Sequence, residues 1–161
     1  MSSIRNARPE DVEEMIRIEG VCFPPAEAAR PEDVRARYAA FPENFFVAEV
    51  DGRIAGFING SVTDRPELPD ELYHDVSRHN PNGAYQTVFG LNVLPEFRRH
   101  GLGAQLILHY VQIARQRGKK GVVLTCKDHM IHFYERAGFT CRGVADSNHG
   151  GAKWNDMLLE F

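Results

Sequence analysis

The segment from Leu91 to Ala104 contains residue types and spacings that are suited to chemistry. It reads LNVLPEFRRHGLGA, an apolar strand followed by a basic turn that opens a helix. Gly101 and Gly103 remove side chains where the backbone must approach a ligand, and the amides and dipole at the start of a helix attract anions. Three possible donors stand just ahead of that helix: Arg98, Arg99 and His100. The pattern predicts a binding site for a polyphosphate.

The spacing of the glycines excludes two well-known phosphate-binding loops. A dinucleotide fingerprint needs a third glycine three residues after the second one, and this chain has Leu106 there. A nucleotide-triphosphate loop needs Gly-Lys followed by Ser or Thr, and no such tripeptide occurs in the sequence. Two interpretations are left: a phosphate loop of another kind, and a helix start at which the glycines only ease a tight turn.

Composition limits the class of protein. The chain has 161 residues, of which 43% are hydrophobic, so we expect a single domain over residues 1–161. A net charge of −3 argues against a nucleic-acid partner, and no long uncharged apolar run predicts a membrane span. Because the first residues have no apolar secretory core, we expect a cytoplasmic location. Three scattered cysteines are too few for a disulfide framework or a zinc site, so no metal is expected.

The elements that must position the glycine turn alternate along the chain. Strands are predicted at residues 4–8, 45–50, 54–62, 85–94 and 122–125, with a final pair that ends at 158–159. Helices are predicted to begin at Pro9 and Pro31, to run from Gly101 to Gly118, and to cover residues 128–137. Asp51-Gly52 predicts a hairpin, and residues 63–84 predict a long, polar, proline-rich loop. The fold class is therefore α/β with a mixed sheet.

A second informative segment is HFYERAGF, residues 132–139. Taken alone, it is an amphipathic helix end with a glycine cap, in which Tyr134 packs on the core. A strand, then Arg98-x-x-Gly101-x-Gly103, and one helix later Phe-Tyr-x-x-x-Gly-Phe together resemble the GCN5-related N-acetyltransferase (GNAT) superfamily. That resemblance implies the GNAT fold, a mixed and mostly antiparallel central sheet of about seven strands flanked by about four helices.

Further stretches are similar to the arylalkylamine N-acetyltransferase branch, which includes bacterial homologues of the serotonin-acetylating enzyme. They read CFPPAEAA at residues 22–29, GFINGS at 56–61 and TCKD at 125–128. The resemblance implies an enzyme that transfers acetyl from acetyl-CoA directly to a primary amine, in particular an arylalkylamine. One departure concerns the strand before the coenzyme loop: Thr87 and Phe89 stand where the vertebrate enzymes have two histidines. The vertebrate proton relay is therefore absent.

The resemblance also implies which residues would bind acetyl-CoA as the acetyl donor. Main-chain groups at Leu91, Asn92 and Val93 would pair with the pantetheine arm, and amides from Arg99 to Ala104 would hold the pyrophosphate. The complete predicted set is Leu91, Asn92, Val93, Arg98, Arg99, His100, Gly101, Leu102, Gly103 and Ala104. Recognition of this kind uses the backbone, which explains why glycine matters while neighbouring side chains vary.

The chemistry of amine acetylation needs both a base and an acid. An aliphatic amine with a pKa near ~10 must lose a proton before it can attack, and the leaving thiolate must be protonated. The resemblance gives Tyr134 as the acid and Glu27 as the base, although Glu27 is also interpretable as a solvated or capping carboxylate. His79 and His129 are alternative bases. Cys126 follows an apolar strand, so a cysteine nucleophile is disfavoured.

The amine side of the site is less specific. Phe23 and Phe89 are predicted to bind substrate, and the acidic residues between 64 and 75 favour attraction of a cation or simply a solvated loop. Two other functions stay open. The chain could acetylate another amine, such as a peptide N-terminus, a polyamine or an aminoglycoside, or it could bind acyl-CoA as a non-catalytic sensor. We expect a monomer or a homodimer.

Overall fold

The computed structural model describes residues 2–147 and 149–161. By their contacts these residues form two compact units, which are described separately. The first unit contains the chain up to Asn59 and Gly90–Tyr110. The second unit contains Gly60–Phe89 and Val111–Phe161.

Nine strands and five α-helices occur in the described residues. The strands are β1 (Ser2–Asn6), β2 (Phe45–Val50), β3 (Arg53–Asn59), β4 (Val62–Thr63), β5 (Tyr85–Val88), β6 (Gly90–Val93), β7 (Gly121–Cys126), β8 (Thr140–Val144) and β9 (Asn155–Glu160). The α-helices are α1 (Val12–Cys22), α2 (Pro31–Ala40), α3 (Glu71–His74), α4 (Leu102–Gln116) and α5 (Ile131–Arg136). No helix within these residues is both long enough and apolar enough to cross a membrane.

The sheet of the first unit is antiparallel and has the strand order β1-β2-β3-β6. The β2–β3 hairpin turns at Asp51 and Gly52, whose φ angles of 50° and 81° are those that a tight hairpin turn requires. Gly56 in β3 faces the backbone of Asn92 in β6 so closely that a side chain there would overlap it. The buried side chains of this unit include Phe45, Phe57 and Ile58. Helix α1 packs on β3 and β6.

The sheet of the second unit is mixed and has the strand order β4-β5-β7-β9-β8. Strands β5 and β7 are parallel, and the other pairs are antiparallel. A buried cluster covers one part of this sheet and consists of Leu68, Leu72, Tyr85, Val123 and Leu158. Gly138, at a φ of 105°, lies in the turn between α5 and β8.

The predicted fold class, α/β with a mixed and mostly antiparallel sheet, is confirmed. The described residues form nine strands, where about seven are predicted, because two of the predicted strands are each divided into two. Residues 54–62 form β3 and β4, which are interrupted near Ser61, whose N–H donates to the hydroxyl of Thr87 (2.9 Å). Residues 85–94 form β5 and β6, which are interrupted at Phe89 and belong to different sheets.

Several predicted boundaries are wrong by a few residues. The first strand is Ser2–Asn6 instead of residues 4–8, and Pro9 begins a 3-10 turn, Pro9–Asp11, that leads into α1. The predicted helix at 128–137 is a 3-10 turn, Asp128–Met130, followed by the short α5. The predicted loop 63–84 contains α3 and a 3-10 turn, Val76–Arg78. Proline fixes a turn-like φ in the first case, and side-chain pattern alone does not resolve such short turns.

Candidate functional site

The glycine turn leads directly into helix α4. The first backbone hydrogen bond of this helix runs from the Gln105 N–H to the Gly101 carbonyl (3.0 Å). The amides of the first helical turn, Leu102–Ala104, therefore point out of its N-terminus. Gly101 has a φ of 79°, a left-handed conformation that favours glycine, and the space around it is open. Arg99, at a φ of 67°, shares that conformation. The geometry is that of an anion-binding helix start.

The three basic residues of the turn have different environments. Arg98 folds back onto β6, where its Nε donates to the Val93 carbonyl (2.8 Å). The Cys22 thiol donates to the same carbonyl (3.4 Å). Burial raises the pKa of the Cys22 thiol, and the Arg98 guanidinium partly opposes that shift. All three basic residues are exposed. Arg98 therefore organises the turn, while its two neighbours are open to an anion in solvent.

Strand β6 contains the predicted main-chain partners of the coenzyme. It is the last strand of its sheet and pairs with β3 alone among the described strands of the first unit. An edge strand presents peptide groups to which another extended chain can bond. The Val93 carbonyl already accepts from Arg98 and Cys22, and Asn92 pairs with Phe57 of β3, so Leu91 has the less occupied main chain.

The linker between α1 and α2 contains Phe23 and Glu27, in the position that the sequence predicts. The Phe23 N–H closes α1 by donating to the Glu19 carbonyl (3.2 Å). The Glu27 and Ala28 N–H groups both donate to the Pro24 carbonyl (2.9 Å), which makes a compact turn. Glu27 is half-buried, and its Oε1 atom is shielded from solvent.

A cluster of buried polar side chains, which sequence reasoning missed, lies beside β6. Glu19, Asn59 and Asn92 are at most 6% exposed. A Cβ on Gly90 would lie 3.3 Å from Asn92 Nδ2, 3.6 Å from Glu19 Oε1 and 3.8 Å from Asn59 Nδ2. The sequence held a faint signal, because Glu19 interrupts the apolar face of α1 between Ile18 and Cys22.

Tyr134 lies in the second unit, in α5, and is buried. Its ring makes edge-on contacts with Phe133 (5.0 Å between centroids) and Phe139 (5.8 Å). Burial raises the pKa of Tyr134, with smaller contributions from Cys126 and Tyr73. The hydroxyl is therefore neutral over the physiological range and is able to donate a hydrogen bond.

Aromatic and hydroxyl groups of the second unit adjoin Phe89. Phe89 lies 4.8 Å from the ring of Tyr73, and the Tyr73 hydroxyl is 3.2 Å from the hydroxyl of Thr125. Sequence reasoning missed Tyr73 because it lies in the short helix α3, inside a segment that was predicted to be a loop. Thr87 is fully buried, and its hydroxyl bonds to Ser61, which is a structural use of that side chain.

The alternative bases and the buried thiol also lie in the second unit. The Nδ1 atom of His79 accepts from the Val62 N–H (3.1 Å), so that nitrogen serves the fold. His129 is exposed in the turn before α5. Burial raises the pKa of Cys126 to about 12, so this side chain is a thiol at neutral pH. A thiol in this state is a poor nucleophile.

Acidic residues of the long loop have local partners. Asp64 accepts from the Asn80 amide (3.0 Å), Asp70 accepts from the Ser147 hydroxyl (2.6 Å), and Asp75 accepts from the Ser77 N–H (3.1 Å). These bonds order the loop. In residues 2–147 and 149–161, no group of three or more histidine, cysteine, aspartate or glutamate side chains is arranged to hold a metal ion.

Comparison with known proteins agrees with the geometry of the glycine turn. The model of a family described as acetyltransferase (GNAT) matches residues 12–139. The serotonin N-acetyltransferase of Mesocricetus auratus is 29% identical over 146 residues, which cover 88% of this chain and 69% of that protein. The uncharacterized N-acetyltransferase YkwB of Bacillus subtilis is 30% identical over 116 residues.

Some curated relatives are longer than this chain. The chain covers 51% of YkwB and 27% of the probable hydrolase YhcX of Bacillus subtilis, to which it is 27% identical over 140 residues. Among solved structures, the loading GNATL domain of CurA from Lyngbya majuscula matches with a TM-score of 0.85, at 17% identity, over 99% of this chain and 98% of that one. The GphF GNAT-like decarboxylase in complex with isobutyryl-CoA has a TM-score of 0.83, at 22% identity, over 98% of both chains.

Proposed function

Because the chain belongs to the acetyltransferase (GNAT) family, we propose that it is an acetyl-CoA-dependent N-acetyltransferase that acts on a primary amine, in particular an arylalkylamine. The observation that carries this proposal is the turn Arg98–Gly103, with Gly101 at a φ of 79°, at the start of α4 and directly after the edge strand β6. The similarity to serotonin N-acetyltransferases supports the substrate class. We also propose a single-domain, cytoplasmic protein that is a monomer or a homodimer.

The residues of the first unit fit acetyl-CoA. Open space at Gly101 and outward-pointing amides at Leu102–Ala104 suit a pyrophosphate, and exposed Arg99 and His100 add positive or protonatable donors. The main chain of β6, in particular at Leu91, suits a pantetheine arm, because β6 has β3 as its one neighbour among the described strands of its sheet. When bound, acetyl-CoA supplies an activated acetyl group and a thiolate leaving group.

Tyr134 is proposed to stabilise that leaving group. Its hydroxyl is neutral because burial raises its pKa, so it donates a hydrogen bond without carrying charge. A phenol with a raised pKa is a weaker acid than a thiol, whose ordinary pKa is about 8.5. We therefore infer that Tyr134 acts mainly by hydrogen bonding to developing negative charge on sulfur, and that full proton transfer is completed from solvent.

Glu27 is proposed as the group that accepts the amine proton, directly or through water. It lies in the α1–α2 linker with Oε1 shielded from solvent, and the same linker carries Phe23. The two histidines that were alternatives have weaker support, since Nδ1 of His79 is used by the Val62 N–H and His129 is exposed. Phe23 and Phe89 are proposed to contact the substrate.

A panel of acceptors tests the substrate class. Tyramine, tryptamine and phenethylamine are compared with spermidine, a peptide with a free N-terminus and an aminoglycoside, at a fixed concentration of acetyl-CoA. We expect kcat/KM to be highest for the arylalkylamines, with one N-acetyl product confirmed by mass spectrometry. A higher kcat/KM for another amine would change the substrate class. Binding of acetyl-CoA without turnover of any acceptor would favour the sensor function.

A further inference from the structure

Glu19 is a buried carboxylate to which the proposed mechanism assigns no role. It lies on α1, the helix that packs on β3 and β6, and it is 6% exposed. A carboxylate in such a place is costly unless it is hydrogen-bonded. Its Oε2 atom accepts the N–H of Ala29 (3.0 Å). This bond joins the end of the α1–α2 linker to the middle of the first unit.

The other oxygen of Glu19 faces the beginning of β6. The side-chain ends of Glu19, Asn59 and Asn92 converge on Gly90, which is the first residue of β6 and pairs with Asn59 across the sheet. A methyl group at Gly90 would lie 3.3 Å from Asn92 Nδ2, which is a tight contact. The absence of a side chain at Gly90 therefore leaves space that these three polar side chains border.

The cluster of Glu19, Asn59 and Asn92 differs from a hydrophobic core, in which buried side chains are apolar. Both polar side-chain atoms of Asn92 and the Oδ1 atom of Asn59 are buried without a hydrogen-bond partner in the structure. Unpaired buried amides destabilise a fold, and apolar side chains of similar size would pack there at lower cost. This points to a role other than stability for the cluster.

We propose that Glu19 is a positioning residue whose bond to the Ala29 N–H holds the α1–α2 linker beside the beginning of β6. The linker contains Phe23 and Glu27, so their position relative to the coenzyme strand depends on the bond between Glu19 and Ala29. The proposal rests on the proposed function, because it takes these two residues as the amine side of the site. It adds a residue in the interior of the unit that acts through them.

The proposal separates amine binding from coenzyme binding. Acetyl-CoA would contact the main chain of β6 and the Gly101 turn, neither of which needs the bond to Ala29. A loosened linker would instead displace Phe23 and Glu27. Loss of the Glu19 carboxylate should therefore raise KM for the amine and lower kcat, while the Kd for acetyl-CoA stays within about twofold, since no coenzyme contact is removed.

Two variants distinguish the hydrogen bond from a general effect of mutation. Glu19→Ala removes the acceptor for the Ala29 N–H, whereas Glu19→Gln keeps an oxygen acceptor at the same distance along the side chain. Glu13→Ala is the matched control, since Glu13 lies on the same helix, is 71% exposed and pairs with Arg35. Amide hydrogen exchange of peptides that cover residues 23–30 gives a readout that does not depend on activity.

We expect Glu19→Ala to speed exchange in residues 23–30 by roughly tenfold or more, the scale of one hydrogen bond to a carboxylate, and to raise KM for tyramine similarly. Glu19→Gln should restore both values to within about threefold of the parent, and Glu13→Ala should change neither. Unchanged exchange in Glu19→Ala, or equal loosening in Glu19→Gln, would overturn the proposal.

A second variant covers the case in which Glu19→Ala does not fold. Should Glu19→Ala fail to fold, Ala29→Pro removes the N–H donor and leaves Glu19 in place, and it must show the same faster exchange in the flanking residues for the proposal to stand. Should the parent protein acetylate no amine, the proposed function fails, while the exchange data still decide whether Glu19 holds the linker.

Discussion

Removal of the Tyr134 hydroxyl should affect chemistry more than binding. Burial raises its pKa, and its ring packs between Phe133 and Phe139. We expect Tyr134→Phe to lower kcat by roughly 10²-fold, the usual scale for losing one hydrogen-bond donor to developing negative charge, with the Kd for acetyl-CoA nearly unchanged. Steady-state kinetics with phenethylamine and calorimetry measure the two effects.

A second tyrosine supplies the control. Tyr38 donates its hydroxyl to the Ala7 carbonyl (3.0 Å), so Tyr38→Phe removes a hydroxyl from the first unit without touching the candidate site. It should cost about 1 kcal/mol of stability and leave kcat unchanged. Equal kcat in Tyr134→Phe and the parent would make Tyr134 a packing residue only.

The role proposed for Glu27 predicts how kcat/KM depends on pH. If this carboxylate collects the amine proton, kcat/KM for a basic arylalkylamine rises with pH along the limb of deprotonation, because only the neutral amine attacks. Glu27→Ala should lower the neutral-pH value by roughly 10²-fold and move that limb to more alkaline pH. Profiles of kcat/KM from pH 6 to 9.5 measure both changes.

The control for Glu27 is the choice of acceptor. An amine of low pKa already arrives neutral, so Glu27→Ala should reduce its kcat/KM far less than that of tyramine. This difference separates proton removal from positioning. An equal loss with both acceptors would mean that Glu27 binds or orients the amine, and the base would have to be sought at His79, His129 or bulk water.

At the scale of elements, the two ends of α4 provide a matched pair of glycines. Gly101 precedes the helix at a φ of 79°, and Gly118 follows it at a φ of 74°, and both have open space where a side chain would lie. Aspartate at either position should cost about 1–2 kcal/mol of stability through left-handed strain. Only Gly101→Asp also places a carboxylate at the anion-binding N-terminus.

We therefore expect Gly101→Asp to weaken acetyl-CoA binding by roughly tenfold or more, equal to about 1.4 kcal/mol, while Gly118→Asp leaves the Kd within about twofold. Calorimetry on both variants, with their unfolding midpoints, gives the comparison. An unchanged Kd in folded Gly101→Asp would mean that acetyl-CoA does not bind at this turn. Equal weakening in both variants would assign the effect to strain.

At the scale of the whole molecule, ligand binding should increase the free energy of unfolding and therefore Tm. A ligand that binds only the folded chain stabilises it by about 2.7 kcal/mol at 100 times its Kd. For a chain of this length, this corresponds to a rise in Tm of roughly 5–10 °C. We expect a rise of this size with acetyl-CoA in a thermal scan, increasing with the logarithm of concentration.

Two comparison ligands make the thermal experiment specific. Pantetheine alone lacks the pyrophosphate, so it should raise Tm much less than acetyl-CoA if the Gly101 turn provides much of the affinity. Inorganic pyrophosphate should raise Tm slightly and compete with acetyl-CoA. No rise with acetyl-CoA at millimolar concentration would contradict both the proposed enzyme and the proposed sensor.

Much of the fold and the conformation of the Gly101 turn was determined by the sequence alone, because those features depend on short-range chemistry. Glycine at Gly101 permits a left-handed φ, and Asp51-Gly52 makes a hairpin turn, whatever surrounds them. The periodicity of apolar residues likewise identified α4 and the buried strands. The order of the motifs along the chain was enough for the resemblance to the GNAT superfamily, which the family model confirms.

Other features were decided only by tertiary structure, because they depend on residues that are distant in sequence. The break at Phe89 places β5 and β6 in different sheets, although the sequence predicts one strand over residues 85–94. The side chains of Glu19, Asn59 and Asn92 all lie near Gly90 only because α1 packs on β3 and β6. Burial likewise sets the pKa of Tyr134 and Cys126. Desolvation and long-range packing leave at most a faint signature in a local pattern, so the contacts and the shifts in pKa are seen only in the folded chain.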